Sequence, residues 1–387
     1  MTVIAGRGQS TIRRTRQQGE RMVNWTWSSR VLVIAMIAVF ASRANAQAPV
    51  PSSELVDAWK AGGSYVEWTS TEPANGGRKV QVFTTCVGDA AKPAILMLHG
   101  FPTSSIDFRL LTRELQADFR LCTLDFPGYG LSDKPADYRY TLADDARLVW
   151  WFVNEVAKLK SFVLLSHDRG DSVALAFLQL YQASPAPPFA ITHQVLTNGN
   201  MYLPLANLTD FQKRMLDPAT SAAAVKAVNA GLLAVGMGQS QFTPPLKADD
   251  PEVRALATLF AFKSGVEAIP ATIQYLNERK QMEVSYLETL GKSTIPTSIL
   301  WGVHDTVSPV RVAEYVFTTA LKSRSVTGAY WLMPCGNHYV QHDQAADIAR
   351  VIRTTMTAQT SGKPLPQVPF NLTTEACSPV LVGRAGQ

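Results

Sequence analysis

With 387 residues, 46% of them hydrophobic and 17% charged, the chain can bury a large core as one big domain or two smaller ones, which excludes a disordered polymer. The formal charge is +5, yet residues 1–46 carry seven Arg and one Glu; taking these from the 36 basic and 31 acidic residues leaves 29 against 30, a net of −1. The positive charge therefore sits in the leader, and nothing argues for a nucleic-acid surface.

In chain order, the first feature is the apolar run "RVLVIAMIAVFA" (30–41), with basic residues before it and "ANA" (44–46) after it. It is too short to span a bilayer comfortably and reads as a signal peptide over residues 1–46, cleaved after Ala46 to leave Gln47 as the mature start. Met22 is an alternative start and an uncleaved membrane anchor the alternative role. Either way the catalytic part is expected outside the cytoplasm, periplasmic or secreted, with no stable membrane span after processing.

From Tyr65 onward, short β-rich runs alternate with amphipathic stretches, the pattern of a mostly parallel sheet covered by helices. Eight strands are expected, in "YVEWTS", "KVQVFTTCVG", "AILMLHG", "FRLCTLDF", "SFVLLSHD", "HQVLTNG", "TSILWGVHD" and "AYWLMP". Helices such as "LADDARLVWWFVNEVAKL" (142–159) lie between them, with apolar residues three and four apart. Residues 200–293 hold helical patterns and no convincing strand, so a helical insertion divides the core into residues 47–199 and 294–358. Residues 359–387 read as an extended tail.

Within this framework "LLSHDRGDSVAL" (164–175) is a buried strand, a sharp turn flanked by Ser166 and Gly170, and a helix. That is the nucleophile elbow written G-x-S-x-G in many hydrolases, with Asp168 at its apex in place of Ser. Small neighbours suit a strained apex backbone and a close-packed helix.

Together with "HGFPTSS" (99–105), "SDKP" (132–135), "LLSHDRGD" (164–171) and "QYLNER" (274–279), this elbow resembles the α/β-hydrolases of the epoxide hydrolase and dehalogenase group, most of all the mesoderm-specific-transcript type. The likeness runs from about Glu67 to Met356. It implies an α/β-hydrolase fold, with a mostly parallel eight-stranded sheet, helices on both faces and a helical cap after strand 6. It does not imply a substrate. In that strand order Cys86 and Cys122 lie on neighbouring strands, and Cys377 could staple to Cys335. Four cysteines allow three pairings, and buried free thiols are as good a reading; their spacing fits no zinc site.

A carboxylate, already ionised at neutral pH, suits displacement at a saturated carbon, whereas Ser must first be deprotonated to attack a carbonyl. Asp168 would open an epoxide or displace a halide to form an alkyl-enzyme ester, which water must then cleave. Of the six histidines, His338 in "CGNHYVQH" follows the last expected core strand, where this fold places its base. Asp305, ending "ILWGVHD", can accept the imidazole N–H and fix its tautomer; its alternative role is a turn or helix cap before "SPVRVAEYVF". The backbone N–H groups of Phe101 and Arg169 are the expected oxyanion hole, and "DFPGYGLSDKP" (125–135) reads as scaffold.

An epoxide leaves as an alkoxide and needs proton donors. By resemblance these are a pair of cap tyrosines, one matching Tyr275; no Tyr occurs between Tyr202 and Tyr275, so Tyr202 is the available substitute, with core or surface aromatic the alternative for both. Haloalkane dehalogenases carry Trp directly after the nucleophile, where this chain has Arg169, and many relatives have Asn where Phe101 stands, which disfavours simple haloalkane hydrolysis. Fluoroacetate-type dehalogenases share "HDRG" with an Arg that grips a carboxylate, but their second Arg falls at Ser172 here. Arg169 could bind an acidic substrate or pair with a carboxylate of the cap. The apolar stretches "LLAVGMG" and "ALATLFAF" could line a hydrophobic pocket.

The expectation is thus an exported hydrolase that uses Asp168, His338 and Asp305 on an epoxide-like or halogenated small molecule, with water as second substrate and no metal or organic cofactor implied. A haloacid or haloalkane dehalogenase, an ester or lactone hydrolase, and a non-catalytic binding protein on the same fold are the alternatives.

Overall fold

The computed structural model describes residues 52–363, 365 and 377–386; the leader, with its signal-peptide reading, lies outside the described residues. Among these residues a single nine-stranded sheet organises the chain, in the spatial order β1-β2-β4-β3-β5-β6-β7-β8-β9. The strands are β1 (Ser64–Thr69), β2 (Lys79–Val87), β3 (Ala94–Leu98), β4 (Arg120–Leu124), β5 (Ser161–His167), β6 (Ala190–Thr197), β7 (Thr297–Gly302), β8 (Gly328–Met333) and β9 (Val380–Ala385). From β4 through β8 every neighbouring pair is parallel, while β1, β2 and β9 are antiparallel edges.

The helices outside the insertion are α1 (Glu54–Ala61), α2 (Arg109–Leu115), α3 (Leu142–Trp151) and α4 (Arg169–Ala183) before it, then α11 (Val310–Val316), α12 (Val340–Asp343) and α13 (Ala345–Ser361) after it. Alternation along the strands sorts the core into two layers. Leu96, Leu98, Leu164 and Trp301 pack beneath α3, α4 and α11, whereas Ile95, Met97, Val163, Leu165 and Trp331 pack against α2 and α13. Because both faces are covered, β3 and β7 are buried at every position.

Between β6 and β7 the chain forms six helices and no strand: α5 (Asp210–Leu216), α6 (Pro218–Lys226), α7 (Ala230–Gln241), α8 (Pro251–Ala261), α9 (Gly265–Thr272) and α10 (Tyr275–Lys292). α10 lies along α4, where Gln179 Nε2 donates to Ser285 Oγ at 2.6 Å and to Thr289 Oγ1 at 3.1 Å. Since residues later in α4 meet residues later in α10, the helices run side by side in the same direction, which sets Tyr275 beside the start of α4.

Three expectations need correction. The tail is not without structure: residues 380–385 form β9 on β8, a pairing that the weak, Gly-containing "VLVGRA" does not announce by itself. The last helix runs on to Ser361, beyond the expected boundary at 358. The first of the two apolar cap stretches is only partly buried, with Leu232 62% exposed and Ala234 and Met237 buried, whereas Ala255, Leu256, Leu259 and Phe260 of the second are all buried. Both expected cysteine pairs are disulfides, Cys86–Cys122 across β2 and β4, and Cys335–Cys377 between the loop after β8 and the start of the tail strand. No single helix among the described residues is long and apolar enough to cross a membrane.

Candidate active site

The site is assembled at the carboxyl ends of the parallel strands, where an open α/β sheet presents its loops. β5 ends at His167, and Asp168 follows with φ 50° and ψ −116°, a left-handed backbone that costs a non-Gly residue about 1–3 kcal/mol. The turn is possible because its neighbours are small: a Cβ on Gly170 would stand 2.2 Å from the Leu98 carbonyl oxygen, and one on Gly100 would stand 2.7 Å from Asp168 Cβ. The strain thereby aims the Asp168 carboxylate at two loops that carry its partners.

One partner is the loop after β3. The Phe101 N–H donates to Asp168 Oδ2 at 2.9 Å, and the Arg169 N–H favours the charged form of the same carboxyl group. The second is the loop after β8, which brings His338 Nε2 to 3.9 Å from Asp168 Oδ1. Its other nitrogen, Nδ1, donates to Asp305 Oδ2 at 2.8 Å. Thus Asp168, Asp305 and His338, separated in sequence by 137 and then 33 residues, form one chain of groups connected through His338.

Asp305 is held from every side. Its Oδ1 accepts the N–H groups of Val307 (2.8 Å) and Ser308 (2.9 Å), and its Oδ2 also accepts Asn198 Nδ2 at 2.8 Å. The turn-forming role and the acid role therefore coexist in one carboxylate. Asn198, at φ 48°, returns a bond by accepting the Gly302 N–H at 3.0 Å, so it ties β6 to the Asp305 loop. His167 plays a similar part below His338, its Nε2 donating to the His338 carbonyl at 2.8 Å. Neither was singled out from sequence; the "TNG" turn after β6 was the available signal for Asn198.

Burial raises the Asp168 pKa, opposed by His338 and by the two backbone N–H groups. Burial acts to lower that of His338, but Asp305, through charge and hydrogen bond, and Asp168, through charge, outweigh it and hold the imidazole up at about 9. The imidazole therefore carries its proton at neutral pH in the resting state, between two carboxyl groups. His167 and His99 are pushed down by burial, His99 to about 3, and stay neutral as structural groups.

The aromatic and basic residues resolve differently. Arg169 is paired with Asp145 of α3, a core helix and not the cap, and lies 4.9–5.5 Å from the ring centres of Phe126, Tyr129 and Tyr275. Tyr275 starts α10 and packs on Phe101, its ring centre 5.8 Å away; its hydroxyl is buried without a partner, and burial and the nearby Asp168 charge raise its pKa. Tyr202 is not brought to this group: its ring stacks on Tyr315 at 3.9 Å, away from the aromatic residues around Asp168. The "QYLNER" stretch gains a structural meaning, because Glu278 caps α3 by accepting the N–H groups of Leu142 (2.8 Å) and Ala143 (3.2 Å), locking the cap to the helix that carries Asp145. Asp168, Arg169, Tyr275 and His338 each expose 3% or less.

Residues 93–345 match the family model described as alpha/beta hydrolase fold, and the chain belongs to that family. It is 31% identical over 254 residues to the "Putative hydrolase LipZ" of Mycobacterium tuberculosis, covering 66% of this chain and 85% of that protein. It is 27% identical over 300 residues to the human mesoderm-specific transcript homolog protein, covering 76% and 85%. Among solved structures, the haloalkane dehalogenase DbeA of Bradyrhizobium elkani superposes with a TM-score of 0.61 at 19% identity, covering 78% of this chain and 100% of that one, which establishes the shared fold alone.

Proposed function

We propose that this α/β-hydrolase acts on a small epoxide-like or halogenated molecule through a covalent ester on Asp168. The observation that carries the reading is the division of labour between the two carboxylate oxygens: Oδ2 rests on the Phe101 N–H while Oδ1 faces His338 without a protein donor at bonding distance. A free, ionised oxygen is what displacement at a saturated carbon needs, and a serine hydrolase has no use for an acceptor already ionised at this position.

For an epoxide, Oδ1 attacks a ring carbon, the carbon–oxygen bond breaks, and the Tyr275 hydroxyl gives its proton to the departing oxygen. Water then adds to Asp168 Cγ, passing a proton to His338 Nε2, while the negative charge gathers on Oδ2 between the Phe101 and Arg169 N–H groups. Collapse expels the diol oxygen, which takes the proton from His338, and the proton left on the regenerated carboxyl group passes to His338 and restores the resting imidazolium. Ester formation also removes the Asp168 charge that helps to keep His338 protonated, so the imidazolium first hands its proton to the Tyr275 phenolate and is the neutral base when water adds. A halide in the same place would leave as the free anion, which is the second reading; Arg169, engaged with Asp145, supplies no weak ring N–H for it.

The test is to incubate His338→Gln with styrene oxide or with bromoacetate and read the mass of the peptide containing Asp168. Retention of the alkyl group on that peptide is the expected result; an unmodified peptide with both probes overturns the nucleophile assignment. We further propose export, on the leader's apolar run and on two disulfides that suit an oxidising compartment; fractionation of cells expressing the full chain tests it.

A further inference from the structure

The underside of α10 gathers polar atoms that the described residues leave unsatisfied. Tyr275, Arg279, Glu283 and Tyr286 form its buried stripe, one helical turn apart, facing α4 and the elbow. Arg279 is completely buried; its Nε approaches the Asn200 carbonyl at 3.5 Å, and its Nη1 and Nη2 have no hydrogen-bond partner. The same is true of the Tyr275 hydroxyl, both amide atoms of Asn200, and Nε and Nη1 of Arg169. An unpaired buried polar group costs about 1–3 kcal/mol, and native interiors rarely tolerate several together.

The imbalance has a sign. Arg169, Arg279, Tyr275 and Asn200 offer six unpaired atoms that can donate, against two that only accept, Asn200 Oδ1 and Asp171 Oδ2. The carboxylates nearby do not fill the deficit. Asp145 already holds the far end of Arg169, and Asp171 takes the Ser166 hydroxyl while burial favours its neutral form. Glu283 favours the Arg279 charge and Tyr286 lies 5.4 Å below its guanidinium, but Glu283 accepts the Leu203 N–H at 2.6 Å and neither takes a hydrogen bond from Nη1 or Nη2. What is missing is a two-oxygen acceptor for the forked end of Arg279.

We propose that Arg279, with the Asn200 amide beside it, binds a carboxylate of the substrate, so that the carbon attacked by Asp168 belongs to a small carboxylic acid. The planar guanidinium offers two parallel N–H donors to the two oxygens of such a group, which a lone epoxide oxygen or halide would leave half used. This rests on Asp168 as nucleophile and adds the specificity that the elbow alone does not supply. Arg279 comes from the cap, so acid recognition and cap closure become one event.

The binding test uses Asp168→Asn, which cannot turn over, titrated by calorimetry with glycidate and with its uncharged amide. We expect glycidate to bind about tenfold tighter or more than the amide. In the same background Arg279→Met should erase that preference while leaving the amide within threefold, and Arg279→Lys, the milder change, should keep part of it; circular dichroism reports folding of each. Equal binding of the two probes, or an equal loss of both on Arg279→Met, overturns the proposal and leaves Arg279 a buried charge met by water. Ester trapping on His338→Gln with a neutral epoxide is independent of Arg279, so a failure there with intact acid preference sinks the nucleophile and not the carboxylate site.

Discussion

The two walls of the reaction chamber are finished differently. On the sheet side, the loops after β3, β5, β7 and β8 satisfy one another: both oxygens of Asp305, Oδ2 of Asp168 and Nδ1 of His338 all have partners from the chain itself. On the cap side, Arg279, Tyr275 and Asn200 are just as deeply buried and carry unpaired donors. Under the proposed chemistry, the reacting groups are held ready before any substrate arrives, whereas the recognition surface is completed by the ligand. Preorganised charges on rigid loops lower a barrier cheaply, and a recognition surface that is incomplete alone is free to discriminate.

The comparison can be broken at its first member with Asp168→Asn, for which turnover of any epoxide should fall on the order of 10⁴-fold or more with the melting temperature little changed. Retained activity would mean that the sheet wall is scaffold. Next in size, Asp305→Asn should slow ester hydrolysis about 10³-fold by losing the imidazole's orienting acceptor, leaving ester formation fast; rapid-quench mass spectrometry would show alkyl-enzyme accumulating. An absence of accumulation would assign Asp305 to the turn alone.

Smaller effects sharpen how the sheet wall is held. Replacing Cys335 and Cys377 together by Ser should cost about 3 kcal/mol in denaturant titrations, since the bridge closes a loop between residues 42 apart and pins β9 three residues before His338. A loss confined to the tail, with activity intact, would show that the loop needs no staple. The smallest effect is on pH. His338 is held at about 9 when folded against an ordinary value near 6.5, so its ion pairing stabilises fully below about pH 6.5 and is lost as pH rises through about 9. The difference in urea midpoint between the wild type and His338→Gln should shrink across that window; a constant difference would show that the imidazole is neutral throughout.

Much of this was legible before any coordinates. The elbow could be read because a strained turn demands small residues at fixed offsets, and the strands because two-sided burial requires continuous apolar runs such as "AILML". Asp305 and His338 could be placed because each follows a recognisable strand in the chain order of this fold. The tail strand escaped because "VLVGRA" has too little pattern to declare itself without β8 and the Cys335–Cys377 bond. Tyr202 stacks on Tyr315, in keeping with its alternative role as a packed aromatic, and position after a strand says nothing of where a ring turns.

The sequence by itself determined eight of the nine strands, the aspartate at the apex of the turn and the chain order of Asp168, Asp305 and His338, because periodicity and turn chemistry are local. Only the tertiary structure decided which hydrogen-bond partner each buried charge found: Asp145 for Arg169, Asn198 for Asp305, and no acceptor among the described residues for the forked end of Arg279. Asp145 and Asn198 lie 24 and 107 positions from the groups they hold, and no short window contains both members of either pair.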